Sequence, residues 1–302
     1  MDIDAGIRYA YGALKEKKHY LDFALLAIAM MALQALSVAA MALLSGDAQK
    51  VSRYAITILM ALATTYFLLK FLHFRLASEK LTAAKYSAGL YAHALLALIT
   101  AGLHTLFFWR AKKLLLLYVP FFIGLAGIIL FALNAANSRL LMGQPGLMGG
   151  PGPVQIIIYG CFFCSLFALI IAWIYNGVRL SLMAQLALCN PKIEMGACSQ
   201  KSWALTWHKS LTIFGARLMF TLSGFVAVVA LALALIFAAV FAASAFGPLL
   251  GSSTIAGVAV LAALAVFVLC MLVSALWIGA EAYLYAFIYK SILPGAKTGK
   301  KK

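Results

Sequence analysis

The chain has 302 residues, 65% of them hydrophobic and only 11% charged. Soluble domains carry about 25% charged residues, so this composition excludes one and specifies a polytopic membrane protein. The formal net charge of +16 does not point to nucleic acid, because the basic residues sit beside apolar runs with no aromatic-studded basic fold between them; anionic lipid headgroups are the matching partner.

In chain order, Asp4 is placed to cap a short mixed helix over residues 4–20, with Ile7, Tyr11 and Leu14 on one face, expected to lie in the membrane interface. Apolar runs follow at 23–44, 54–74, 86–109, 114–133, 154–178, 211–246 and 255–289. The first exceeds the roughly 7 to 15 residues of a signal-peptide core and reads as an uncleaved anchor. At about 20 residues per span, these runs consume the length, and residues 1–302 form one membrane domain.

Charge decides how many runs cross. Seven crossings would put Arg110, Lys112, Lys113 and the C-terminal lysines outside, against the rule that basic flanks stay inside. If run 86–109 does not cross, then of the 24 Lys and Arg residues only Lys50, Arg53 and Arg139 lie outside. The expectation is therefore an all-α polytopic transmembrane helix bundle in a plasma or inner membrane, with both termini cytoplasmic. It has six spans (23–44, 54–74, 114–133, 154–178, 211–246, 255–289) and amphipathic interfacial or re-entrant helices at 4–20, 79–109 and 196–209. The run at 86–109 is expected to start near a Ser78–Glu79 cap, because Glu79, His93, Thr100 and His104 fall within about 60° on a helical wheel, a stripe unsuited to lipid.

The loop at 143–153 is rich in Gly and Pro and lacks the N–H groups a phosphate cradle needs, so it reads as a flexible linker between halves. Asn190–Pro191 should stop one helix, and another should start near Ser199. On that helix Trp203 and Trp207 at i, i+4, flanked by Lys201 and Lys209, are expected to anchor in the interface. Span, basic elbow, span occurs over 54–133 and again over 154–245, an approximate repeat whose letters match poorly. Ala230, Ala234, Ala238 and Ala242 recur every four residues and predict close helix packing. Lys297, Lys300, Lys301 and Lys302 form a polybasic tail, either an ordinary cytoplasmic flank or an attraction to anionic lipid.

Residues 199–209, Ser-Gln-Lys-Ser-Trp-Ala-Leu-Thr-Trp-His-Lys, and residues 280–289, Ala-Glu-Ala-Tyr-Leu-Tyr-Ala-Phe-Ile-Tyr, resemble a group of prokaryotic six-helix membrane proteins similar to the membrane domain attached to some glycerophosphodiester phosphodiesterases. The resemblance spans most of the chain. It implies architecture and an accessory membrane role, and it lends no catalytic residue, since the soluble phosphodiesterase domain is absent.

Glu281 is the only acid inside a predicted span. It lies about 13 Å from Lys290 along its helix, and Arg217 lies about 12 Å beyond Lys209, so the two can share one depth on antiparallel neighbours. A Glu281 to Arg217 pair, joined by Lys70 or Arg179, is expected; such a cluster serves either to neutralise charge in the membrane or to relay protons or solute. Cys161 and Cys164 have redox spacing but also suit packing. His93 and His104 share a face about 16 Å apart, too far for one ion. No nucleophile motif, paired carboxylates or nucleotide loop is present in the sequence, and neither a metal nor a cofactor is expected. The expected role is non-catalytic organisation of lipids or partner proteins at the cytoplasmic face. The alternative is a secondary transporter or channel for a small solute, which a cavity reaching Glu281 would mark.

Overall fold

In the computed structural model the described residues are 2–108, 111–142, 153–246 and 252–293, and among them no strand occurs. The helices are α1 (Ile3–Tyr11), α2 (Tyr20–Leu43), α3 (Gly46–Ser78), α4 (Ala88–Leu106), α5 (Tyr118–Met142), α6 (Pro153–Arg179), α7 (Met183–Cys189), α8 (Met195–Thr206), α9 (Ser210–Phe246) and α10 (Ser252–Ile292). Among the described residues seven helical segments are long and apolar enough to cross a membrane, one more than the six expected, and the extra one is α4. With 37 and 41 residues, α9 and α10 run about 55 and 60 Å, more than the roughly 40 to 45 Å of a whole bilayer, so their ends project beyond it.

α2 lies antiparallel to α3 with α10 against both, α5 pairs with α6, and α9 packs on α10. Glycines set these approaches, since little but van der Waals packing drives helix association in lipid. A Cβ built on Gly224 of α9 would fall 1.9 Å from the Trp277 ring of α10, which is stacked on Phe220 at 4.1 Å. A Cβ on Gly124 of α5 would meet the Phe162 backbone of α6 at 3.0 Å. Of the alanine stripe, Ala230 and Ala234 are exposed, and the Ala238 and Ala242 side chains lie outside the description.

The C-terminal ends of α3, α6 and α10, the starts of α2, α5 and α9, and the short helices α1, α7 and α8 meet at one end of the bundle, here the basic end. Its core holds Leu69, Leu72 and Leu76 of α3 against α7, whose residues 183–188 are all buried. The elbow helix α7 is thus a plug inside the protein. Asn190 ends it, as the Asn–Pro pair predicts.

Several expected boundaries move. Asp2, not Asp4, caps α1, its Oδ1 accepting from the amides of Asp4 (3.0 Å) and Ala5 (3.4 Å). Two 3-10 turns, Gly12–Lys15 and Lys17–His19, then lead into α2. Ser78 and Glu79 close α3 instead of opening α4; Lys80, with φ of 57°, reverses the chain, and the Ser87 hydroxyl caps α4 by accepting from Leu90 N at 3.3 Å. Glu79 therefore leaves the stripe of His93, Thr100 and His104. α8 starts at Met195, four residues before Ser199, and stops at Thr206, which leaves Trp207 and Lys209 in the turn. The 143–152 loop and the lysines at 297 to 302 lie outside the described residues.

The path of α4 follows from its hydrogen bonds. After the turn at Lys80 the chain climbs back along α3: His73 Nε2 meets Ala84 O at 2.8 Å, and the Tyr86 and Tyr91 hydroxyls donate to Tyr66 O and Leu62 O at 3.3 and 3.4 Å. At its other end, Asn176 of α6 donates to the carbonyls of His104 (2.9 Å) and Thr105 (3.1 Å). Tyr118, the first residue of α5, donates to Leu106 O at 2.6 Å and accepts from Trp173 Nε1 at 2.9 Å. A helix ending at membrane depth exposes carbonyls that lipid cannot satisfy, and these side chains satisfy them. α4 thus begins beside the middle of α3 and finishes where α6 ends and α5 begins, at the basic end.

Candidate functional site

The residues predicted as one intramembrane charge cluster separate into three places. Lys70 pairs with Asp22 across α2 and α3, Nζ to Oδ1 2.7 Å. Arg179 belongs to the second elbow, described below. Glu281 and Arg217 are not paired directly; both contact Tyr285 of α10. Its hydroxyl donates to Glu281 Oε1 at 2.9 Å, and the Arg217 guanidinium carbon lies 5.1 Å from its ring centroid. Arg217 forms no ion pair within 4 Å. The depth argument placed both residues at one height, but it carries no azimuth, and Tyr285, one turn along the same face of α10, takes the carboxylate.

Arg217 and Tyr285 form the polar end of a partly open cavity of about 270 Å³. Leu69, Leu98, Leu180 and Ala184 form much of its apolar wall, and Gln185 is the other large polar residue on it. Glu281 is not on the wall. Neither expected alternative is met, since a cavity exists but reaches Arg217 instead of Glu281.

In the second elbow Arg179 is 1% exposed without a carboxylate partner. Its Nη2 donates to Trp203 O at 2.8 Å and its Nη1 to Trp207 O at 3.3 Å, so the guanidinium caps the C-terminus of α8, where the helix dipole favours a cation. The Trp203 and Trp207 rings both lie 4.3 Å from its guanidinium carbon. The Trp pair expected to anchor in the interface thus clamps a buried arginine, although Trp207 also keeps an exposed face. Ser202 and Thr206 return the bond, their hydroxyls donating to Arg179 O at 2.9 and 3.0 Å. Lys209 donates to Ser291 O at 3.2 Å and caps α10, while Lys201 is exposed.

A third group, missed in the sequence, ties α1, α3 and α10 together. Arg75 donates through Nε to the Tyr9 hydroxyl (2.6 Å) and through Nη1 to Glu16 (3.1 Å), and its Nη2 pairs with Glu79 (3.1 Å). Tyr9 donates to Glu79 Oε1 at 2.6 Å, Lys290 pairs with Glu79 Oε2, and Lys18 pairs with Glu16 at 3.0 Å. Buried His19 meets the Tyr283 hydroxyl at 2.9 Å. Burial raises the Glu79 and Glu16 carboxyls, but hydrogen bonds from Lys290 and Tyr9 to the one, and from Lys18 and Tyr283 to the other, outweigh it and hold both below the usual carboxylate range. Burial and the bond to Glu79 push the Tyr9 phenol up. The available signal was scarcity: with eight acids in the chain, Glu16 and Glu79 beside runs of basic residues had to be paired.

Cys161 and Cys164 are free and exposed on α6, a turn apart. Cys198 is buried, donates to Met183 O at 3.3 Å, and is pushed up to about 11 by burial. His93 Nε2 is buried without a partner, and no three His, Cys, Asp or Glu side chains converge as a metal site among the described residues.

A bundle of this composition and helix length is a multi-pass α-helical membrane protein. No protein-family model matches the chain, and no curated protein or solved structure matches it.

Proposed function

We propose that this is a six-crossing plasma or inner membrane protein with both termini cytoplasmic, and that its basic end organises anionic lipids, and through them partner proteins, without catalysis. The bonds that hold the start of α4 beside the middle of α3 and its end at the basic end support a re-entrant helix, which leaves the positive-inside count intact. The observation that carries the lipid reading is a set of exposed cations: Lys15, Lys17, Lys80, Lys85, Lys192 and Lys201 are exposed and form no ion pair among the described residues. Each contributes about 1 kcal/mol of attraction near an anionic leaflet. An accessory membrane role is also what the likeness of residues 199–209 and 280–289 to the phosphodiesterase-associated membrane domains implies.

Native mass spectrometry of the full chain released from mixed phosphatidylglycerol and phosphatidylcholine micelles tests this reading. The protein should retain phosphatidylglycerol in excess of the bulk ratio, and changing the six lysines to Gln should remove the excess. Retention at the bulk ratio would refute it. The second reading, a transporter or channel for a small solute, rests on the cavity at Arg217, which stops short of Glu281.

A further inference from the structure

We infer that the partly open cavity lined by α3, α4, the α6–α7 elbow, α9 and α10 binds a single-chain amphiphile with an anionic head, a carboxylate or phosphate, and that Arg217 holds the head. Arg217 lies seven residues into α9 and Tyr285 seven before the end of α10, about 10 Å from the helix ends. Since these ends project beyond the bilayer, that depth is near the boundary between headgroups and acyl chains. An amphiphile entering from the basic-end leaflet has its head at this level.

The wall has the chemistry of such a ligand. Apolar side chains of α3, α4 and the elbow line the chamber, and its cation Arg217 forms no direct ion pair among the described residues. A guanidinium in a low-dielectric site is costly without a counter-charge, and its planar fork matches a carboxylate or phosphate with two parallel bonds. Glu281 lies off the wall and bonds to the Tyr285 hydroxyl instead of pairing with Arg217, which leaves the guanidinium fork open to a ligand head. The volume of about 270 Å³ falls just under the ~300 Å³ at which pockets for drug-sized ligands begin, which suits one acyl chain better than two.

α4 supplies a sensitive steric test. Leu98, Ala101, Gly102 and Thr105 line the chamber from one face of this helix, and a Cβ built on Gly102 meets no atom within 4 Å. A larger side chain there enters open space and also favours the helix.

The experiment is competition against a fluorescent fatty acid on the purified full chain in nonionic detergent, with oleate, lysophosphatidylglycerol, lysophosphatidylcholine and inorganic phosphate as probes. Oleate and lysophosphatidylglycerol should compete at least about tenfold better than lysophosphatidylcholine, and phosphate alone should not compete. Arg217→Gln should abolish the anion preference, Arg217→Lys should restore part of it, and Gly102→Leu should weaken every amphiphile while the protein stays monodisperse and helical. Equal affinity for the two lysolipids, displacement by phosphate alone, or unchanged binding in folded Gly102→Leu would each overturn the inference. The six surface lysines are intact in these variants, so failure here is separate from failure of the lipid-organising reading.

Discussion

Glu79 and Lys290 stand 211 positions apart in the chain, yet their side chains are bonded where α3 and α10 end side by side. Two parallel helices bring their negative dipole ends together there, and Arg75 and Lys290 in the last turns offset both. Glu79 sits between these cations and also receives the Tyr9 hydroxyl from α1, so one carboxylate joins three helices.

Glu79→Ala should therefore destabilise the protein by about 1.5 to 3 kcal/mol, the range for hydrogen bonds to charged partners. Glu79→Gln should cost less, since the amide oxygen still accepts from Tyr9. Thermal unfolding in detergent measures both, and adding Lys290→Met to Glu79→Ala should cost less than the sum of the single changes.

The same group gives the protein an acid limb. Glu79 and Glu16 bind protons less readily folded than unfolded, so their stabilisation is fully present above the ordinary value of 4.5 and is lost as pH falls through their lower folded values. Melting temperature should drop on acidification below about pH 4.5, and a Glu16→Ala, Glu79→Ala double variant should show a flatter limb from a lower plateau.

In the second elbow, Arg179→Met should strip the Trp207 carbonyl of its guanidinium donor and leave Trp203 O with only the Thr206 hydroxyl at 3.3 Å, and cost about 2 to 4 kcal/mol. Arg179→Lys should recover less than half, because an ammonium lacks the fork that reaches both carbonyls. Near-ultraviolet circular dichroism of the Trp pair reports the loss directly; an unchanged signal in a destabilised Arg179→Met would contradict the clamp.

At the α9–α10 contact, Gly224→Ala should cost about 1 to 3 kcal/mol, because Trp277 is held against Phe220 and cannot swing away from an added methyl. Trp277→Leu should relieve most of the penalty in the double variant, whereas a penalty unrelated to that ring would leave the two effects additive.

For α4, cysteines placed at Tyr91 and Thr105 should react with an impermeant maleimide, if at all, only from the side carrying the termini. Labelling of one from outside only and of the other from inside only would overturn the re-entrant path. Asn176→Ala with Tyr118→Phe should raise reactivity at position 105 by uncovering the last carbonyls of α4.

Composition and apolar run length by themselves determined the class of this protein, its all-helical fold and the approximate position of every long helix, because a chain in lipid must satisfy its backbone within each segment. The grouping of basic residues likewise singled out run 86–109 as unlike the other spans. The elbow of 190–209 was recognisable from Asn190–Pro191 and the Trp pair, since local stereochemistry breaks a helix and local spacing makes a face. What the tertiary structure alone decided was who meets whom. Lys70 found Asp22, Trp203 and Trp207 closed on Arg179, Tyr285 met both Arg217 and Glu281, and Glu79 joined Lys290 instead of the α4 stripe. Periodicity in one helix carries depth and face but not the rotation of that helix against its neighbours; that rotation is set by glycines such as Gly224 and Gly124, whose partners lie tens of residues away.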